Sequence, residues 1–249
     1  MLELVMNEKA WVEDMLRSMQ LGQHPYTMLL RYATYLRENG YKKGRVRREL
    51  EDLVTRCRPD TSLQRWREAI DRAVEDSRTR ELFQIDGINI TRAEMDVVDA
   101  QEGLMRQKLL FTLLCLAKYR DAIRGKESSW INYGVNDIFK LANINCNQQR
   151  QYAMMHALYN DGLIGLNHNV ADTSIKVLIV NNEGESALTV TDMRNLGNQY
   201  ARLHSDQFTT CEQCGLVIKR GSNRQKYCKA CANAIRLARA MDAYLSRLA

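Results

Sequence analysis

Four cysteines constrain this chain more than any other feature: Cys211, Cys214, Cys228 and Cys231 stand in a C-x2-C-x13-C-x2-C pattern. Each C-x2-C turn aims two thiolates at one point. Two such turns supply four soft ligands in a tetrahedron, the set that suits Zn²⁺. The competing reading is four buried or redox-active thiols. A thioredoxin-like redox site, however, needs one C-x2-C motif in a strand–helix–strand setting, not two in a polar tail. Four cysteines leave no coordination position for water or substrate, so the spacing predicts one structural zinc ion and no catalytic one.

The residues between the pairs extend this picture. Gly215 after the first pair permits a tight knuckle. Residues 216–219 and 225–227 are expected to form a hairpin across the turn 221–223. The second pair opens a helix over 232–248, with Ile235, Leu237, Ala238, Met241 and Leu245 available for packing. Knuckle, hairpin and ligand-bearing helix in that order resemble a treble clef.

The same segment carries the charge. From Cys211 onward eight basic residues (Lys219, Arg220, Arg224, Lys226, Lys229, Arg236, Arg239 and Arg247) oppose only Glu212 and Asp242. That net +6 equals the formal net charge of the whole chain, so the remainder is near neutral. Attraction to an acidic partner, most simply nucleic acid, is therefore concentrated here. Lys219, Arg220, Arg224, Lys226 and Lys229 lie on or beside the expected hairpin with Tyr227 among them, a surface suited to phosphate contacts and base stacking. A solvated basic face or a protein docking site is the alternative, since treble clefs serve protein contacts as readily.

Hydrophobic residues make up 45% of the chain, enough for a packed core. Only Pro25 and Pro59 interrupt it, which leaves long helices free to run. The longest apolar stretch, residues 109–117, is too short to span a membrane. Glu3 and Glu8 break the basic-then-apolar layout of a signal peptide, so a cytoplasmic location with reduced thiols is expected.

Residues 1–80 read as a helical N-terminal region. Helices are expected over 8–20, ending at Gly22; from Pro25 to Asn39-Gly40; over 43–56; and behind Thr61 or Ser62, where Leu63, Trp66, Ile70 and Val74 recur at helical spacing. In the core, residues 81–204, the run 82–90 around Asp86-Gly87 reads as a small hairpin. Thr91 with Glu94 forms a capping box, and an apolar helix covers 104–123. A helix over 135–142, a turn at 143–147 and a second helix over 148–160 follow. Two strand-like runs, 163–167 and 174–180, are joined by a polar tip at 168–173. A short strand over 188–190 precedes a helix capped by Thr191 with Asp192 and running to Leu203. Residues 205–249, opening with a polar linker at 205–210, form the zinc module. Helix, helix–turn–helix, then hairpin is the order of a winged helix. The expected fold is thus mainly α: an N-terminal helical region, a winged-helix-like core with a small β-hairpin wing, and a treble-clef-like zinc module.

In a DNA-binding winged helix the second helix of the pair enters the major groove. With Ala153, Met154, Ala157 and Leu158 inward, Gln148, Gln149, Tyr152, His156 and Tyr159 face outward. Glutamine pairs with adenine edges and hydroxyls contact phosphate. Arg150, near the helix start and close to the buried edge, either reaches a guanine or braces the fold. The wing offers Asn167, His168, Asn169 and Lys176. This face is weakly charged, and winged helices also serve as protein-contact modules, so both classes of partner stay open.

Other charged and catalytic candidates carry less. Arg45, Arg47 and Arg48 with Lys42 and Lys43 alternate with acidic residues, as a solvated surface does. His24, His156, His168 and His204 are dispersed. A phosphate-binding glycine loop, a dinucleotide fingerprint and a nucleophile elbow are all lacking, so no enzymatic activity is expected.

The segments INITRAEM (88–95), LLFTLLCLAKYRDA (109–122), NDIFKLANI (136–144), NDGLI (160–164), TVTDMRNLGNQY (189–200) and CEQCGLVIKRGSNRQKYCKAC (211–231) together resemble uncharacterised phage- and prophage-type proteins of Gram-positive bacteria. The similarity covers residues 88–235. It implies a mobile-element protein in a bacterial host cytoplasm, with a winged-helix-like core and a terminal zinc finger whose four ligand positions match. The resulting expectation is a non-enzymatic, nucleic-acid-binding accessory or regulatory protein, with DNA favoured over RNA and no membrane partner. The alternative is an interaction module that modulates a host or phage replication, transcription or defence complex.

Overall fold

The computed structural model describes residues 4–19, 21, 24–167 and 174–248. The expected end of the first helix at Gly22 and the polar tip at 168–173, with His168 and Asn169, lie outside the described residues. The chain is mainly helical and divides into two compact units, Val5–Asp86 and a second built from Gly87 onward. No described helix is long and apolar enough to cross a membrane.

The Val5–Asp86 unit packs α1 (Glu8–Ser18), α2 (Pro25–Glu38), α3 (Lys43–Cys57) and α4 (Arg67–Asp76). The Asn7 side chain caps α1, and Pro25 opens α2 at a position where its missing N–H removes no helical bond. Their apolar faces meet around Leu29, Ala33, Val46, Leu50, Val54, Ala73 and Val74, all fully buried. The basic cluster is neutralised locally: Lys43 pairs with Glu75, Arg47 with Asp71, and Arg45 lies over Tyr41 beside Glu49. Glu8 is fully buried and accepts from Arg31 Nε at 2.7 Å and Arg80 Nη2 at 2.5 Å. Beside it Glu8 N donates to Phe83 O and Ile85 N to Met6 O, which lays the end of the unit against its beginning.

In the second unit, β1 (Ile88–Thr91) pairs antiparallel with β5 (Ser186–Val190), Ile88 opposite Val190. α5 (Arg92–Asp99) starts on the expected capping box of Thr91 and Glu94. Glu94 also accepts from Lys118 Nζ on both carboxylate oxygens at 2.8 Å and from the N–H of Asn181 at 2.8 Å. A buried ion pair is tolerated when its remaining lone pairs are occupied in this way. α6 (Leu104–Arg124) runs through the centre with Leu109, Leu110, Phe111, Leu113, Leu114 and Leu116 fully buried. A helix that is apolar on most sides has to be enclosed.

After α6 come β2 (Trp130–Ile131), α7 (Val135–Leu141), α8 (Gln148–Asn160), β3 (Ile164–Leu166) and β4 (Ile175–Val177). The three strands form one antiparallel sheet in the order β2–β4–β3. α9 (Leu196–Leu203), β6 (Phe208–Thr210), β7 (Val217–Lys219) and α10 (Lys229–Leu248) complete the chain.

Three local expectations change. The run 82–90 is not a hairpin: Gln84 bridges to Asn7, while β1 pairs with β5, because each half finds a longer-range partner for its backbone groups. Thr191 and Asp192 do not cap α9, which begins behind Asn195 in the left-handed region (φ 48°); Asp192 instead holds Arg194. Finally, β7 pairs with β6 rather than with 225–227, so part of the expected polar linker is strand. Gln225 closes its own loop, its side chain accepting from Gly221 N and its N–H donating to Ser222 O, and Lys226 O accepts from Glu212 N.

Candidate metal centre

β6 delivers Cys211 and β7 leaves after Leu216, so the first cysteine pair is the turn of the β6–β7 hairpin. Cys211 N donates to Leu216 O and Gly215 N to Cys211 O, both at 2.9 Å. Gly215 has φ 73°, a left-handed backbone that glycine adopts without penalty. The second pair sits where α10 begins, Cys228 just before it and Cys231 in its first turn. Glu212 N donates to Lys226 O at 3.0 Å and ties the two turns together.

The four Sγ atoms lie within 4.8 Å of one another, and Cys214 Sγ and Cys228 Sγ are 3.8 Å apart. For thiolates at ~2.3 Å from a tetrahedral ion, the ligand–ligand edge is ~3.8 Å. The cluster is therefore compatible with a metal such as zinc. Main-chain N–H groups already point at sulfur: Cys228 N lies 3.2 Å from Cys211 Sγ and Cys231 N 3.4 Å from Cys228 Sγ. Burial alone raises the Cys211 thiol, but N–H groups of Cys228, Cys214 and Gln213 bring it down to about 6. Cys231 is pushed up to about 12 by its contacts with Cys228 and Cys214. The other thiols stand apart. Cys115 is fully buried in α6, where burial pushes its pKa up, and burial likewise raises Cys57.

Side chains from α9 fasten this module to the unit's core. Arg194 Nη2 donates to Cys214 O at 2.8 Å, and Asn195 Nδ2 and Asn198 Nδ2 both reach Val217 O at 3.3 Å. Asn198 is buried, and its Oδ1 accepts from Asn143 Nδ2 at 2.6 Å. Asn143 occupies the turn between α7 and α8 in the left-handed region (φ 49°), and its carbonyl accepts from Lys108 Nζ at 3.0 Å. Burial lowers the Lys108 pKa and the charge of Lys219 lowers it further, so β7 presents its cation on this side. Gly197 makes the approach feasible, since a Cβ there would run into the Ala142 carbonyl. A continuous polar chain thus joins the α7–α8 turn to the metal module. Sequence reading missed it; the only signal was Asn195, Gly197 and Asn198 interrupting an apolar helical pattern.

The expected contact residues fall into two groups within this unit. Lys219, Arg220, Arg224, Lys226 and Lys229 are all exposed on the metal module. Among the described residues, only Lys226 of these five has an acidic partner, Glu212 at 3.3 Å. Gln148, Gln149, Arg150 and Tyr152 are exposed on α8, and Lys176 is exposed on β4 opposite Trp130 and Gly165. The buried face of α8 differs from expectation. Gln151, Met155 and Leu158 are buried, while Ala153 is exposed, and Arg150 is exposed at the start of the helix. A polar Gln151 on the inner face, donating to Cys146 O at 3.4 Å, disguises the apolar spacing.

Comparison with known proteins gives no match: no protein-family model, curated protein or solved structure is significantly similar to this chain.

Proposed function

We propose that this chain is a non-enzymatic, nucleic-acid-binding accessory or regulatory protein of a phage or prophage, in which a winged helix meets duplex DNA beside a basic zinc module. The observation that carries this reading is the set of exposed cations without acidic partners among the described residues, Lys219, Arg220, Arg224 and Lys229, on and beside a strand tied through Asn198 to the turn ahead of α8. The sheet order β2–β4–β3 around α7 and α8 supports the winged-helix reading. The knuckle at Cys211–Cys214, the β6–β7 hairpin and the ligand-bearing start of α10 support a treble-clef-like module holding one Zn²⁺. With four thiolates around it, that ion's role is to fold the segment, while α8 offers Gln148, Gln149, Arg150 and Tyr152 to base edges and phosphates.

A second reading rests on α8 itself. Its outer face carries Tyr152 and Tyr159, 47% and 39% exposed, and little charge. Such a face suits a protein partner, here a host or phage replication, transcription or defence complex.

Titrating the zinc-loaded chain onto labelled DNA and RNA duplexes at rising salt separates the two. Phosphate binding weakens steeply between about 50 and 200 mM salt, and Arg220→Ala with Arg224→Ala reduces the log–log slope by about 2. Absence of binding to either nucleic acid at low salt rejects the first reading and leaves the second.

A further inference from the structure

Lys108, on α6, carries its charge into the second unit and is only 8% exposed. Among the described residues its ammonium has one hydrogen-bond acceptor, the Asn143 carbonyl at 3.0 Å, and no carboxylate acts on it. An ammonium offers three N–H donors, so most of this capacity is unused. Lys118, equally buried, is treated differently and meets both oxygens of Glu94 at 2.8 Å. The path of the Lys108 side chain is built into the fold. A Cβ at Gly197 would stand 2.6 Å from Lys108 Cε, so α9 has to be bare there for the stem to pass.

The charge that does act on Lys108 has the same sign, Lys219 of β7. Alternate residues of a strand share a face, so exposed Lys219 leaves β7 on the side of buried Val217. Val217 O is tied through Asn198 to Asn143, whose carbonyl holds Lys108. One hydrogen-bond network therefore converges two cations at the turn that leads into α8. Burying a charge without a counter-ion is unfavourable, and a second charge of the same sign adds to the penalty. A carbonyl needs only a neutral donor. An unpaired ammonium beside another is explained by an anion that both can reach.

The surroundings select the anion. Arg220 follows Lys219, and Arg224 and Lys229 are exposed on the same module. An ammonium binds phosphate oxygen as a point charge, and phosphate contacts beside a groove-reading helix set its register on the duplex. We propose that Lys108 and Lys219 together bind one phosphate of the nucleic-acid backbone next to the turn ahead of α8, a contact that rests on the nucleic-acid reading.

Side-chain NMR of the lysine ζ groups in the zinc-loaded full chain gives the first readout. The probe is inorganic phosphate at millimolar concentration, with ionic strength held by chloride. Phosphate is expected to shift the ζ signals of Lys108 and Lys219 together, and Lys108→Met leaves the Lys219 signal in place. Titration onto labelled duplex at rising salt gives the second readout. Lys108→Met and Lys219→Ala each lower the log–log slope by about 1, and the pair by about 2. Lys219 is exposed, so its variant decides the matter if Lys108→Met disturbs the turn; zinc content and α8 amide shifts report folding. Lysine signals that phosphate does not move overturn the proposal. Duplex binding whose slope neither variant changes also overturns it and leaves the nucleic-acid reading standing. A chain that takes phosphate but no duplex rejects that reading, and the backbone assignment falls in favour of a small phosphate ester. Poly-glutamate that moves the same signals where duplex does not makes the site one for an acidic protein, and overturns the proposal too.

Discussion

In the Val5–Asp86 unit, residues from four helices enclose Leu29, Val46, Leu50, Val54 and Val74 with no exposure at all. In the metal module the buried cluster is Cys211, Ile218 and Cys228, with Leu216 and Tyr227 packed against it. Two of those three buried residues are themselves candidate ligands. A fully buried aliphatic side chain contributes about 1.5–3 kcal/mol, so the helical unit is held by many such contributions. The cysteine module has almost none; on the zinc reading proposed above its fold depends on the ion, whose binding is worth about 10–16 kcal/mol in small zinc-dependent modules. One region spreads its stability over a core; the other concentrates it at a point.

The strongest way to break this contrast is to take the metal away. Chelation, or Cys228→Ser, removes the bound zinc and abolishes hydrogen-exchange protection across the β6–β7 hairpin, while amides of α2 and α3 keep theirs. Equal loss in both regions rejects the separation. Next in size is Glu8→Gln, which leaves Arg31 and Arg80 around a neutral amide. Breaking a buried charge cluster costs about 3–5 kcal/mol, read as a lower denaturation midpoint with zinc content unchanged. Leu50→Ala opens a cavity in the same core and costs about 2–5 kcal/mol by the same measurement. The smallest effect is expected from Ile218→Ala. In the helical unit such a truncation would weaken the fold, but in the metal module it lowers zinc affinity only about tenfold in a competition titration with a chelator.

The same contrast explains what the sequence made legible. The four candidate ligand positions were readable because a metal would fix residue type and spacing together, and the sulfur atoms do converge. The helices of the first region, the capping box at Thr91 and Glu94, and the α7–turn–α8–β3–β4 order were readable from periodicity and caps. β2 was not, since a two-residue strand, Trp130–Ile131, has no alternation to detect. The pairing of β1 with β5 joins residues about a hundred positions apart, and local pattern carries no trace of it. The inner face of α8 was misread because Gln151 is buried by a hydrogen bond rather than by hydrophobicity.

Asn198 shows how narrowly such polar contacts define a position. Its amide presents an acceptor to Asn143 and, from the same short stem, a donor to Val217. Aspartate would keep the acceptor and lose the donor; leucine would fill the volume and lose both; glutamine would place the amide one carbon too far. The side chain acts as an adaptor with two differently shaped ends. The turn ahead of α8 and the strand behind the cysteines are therefore gauged to each other through one residue, and neither can be re-spaced without replacing the part that joins them.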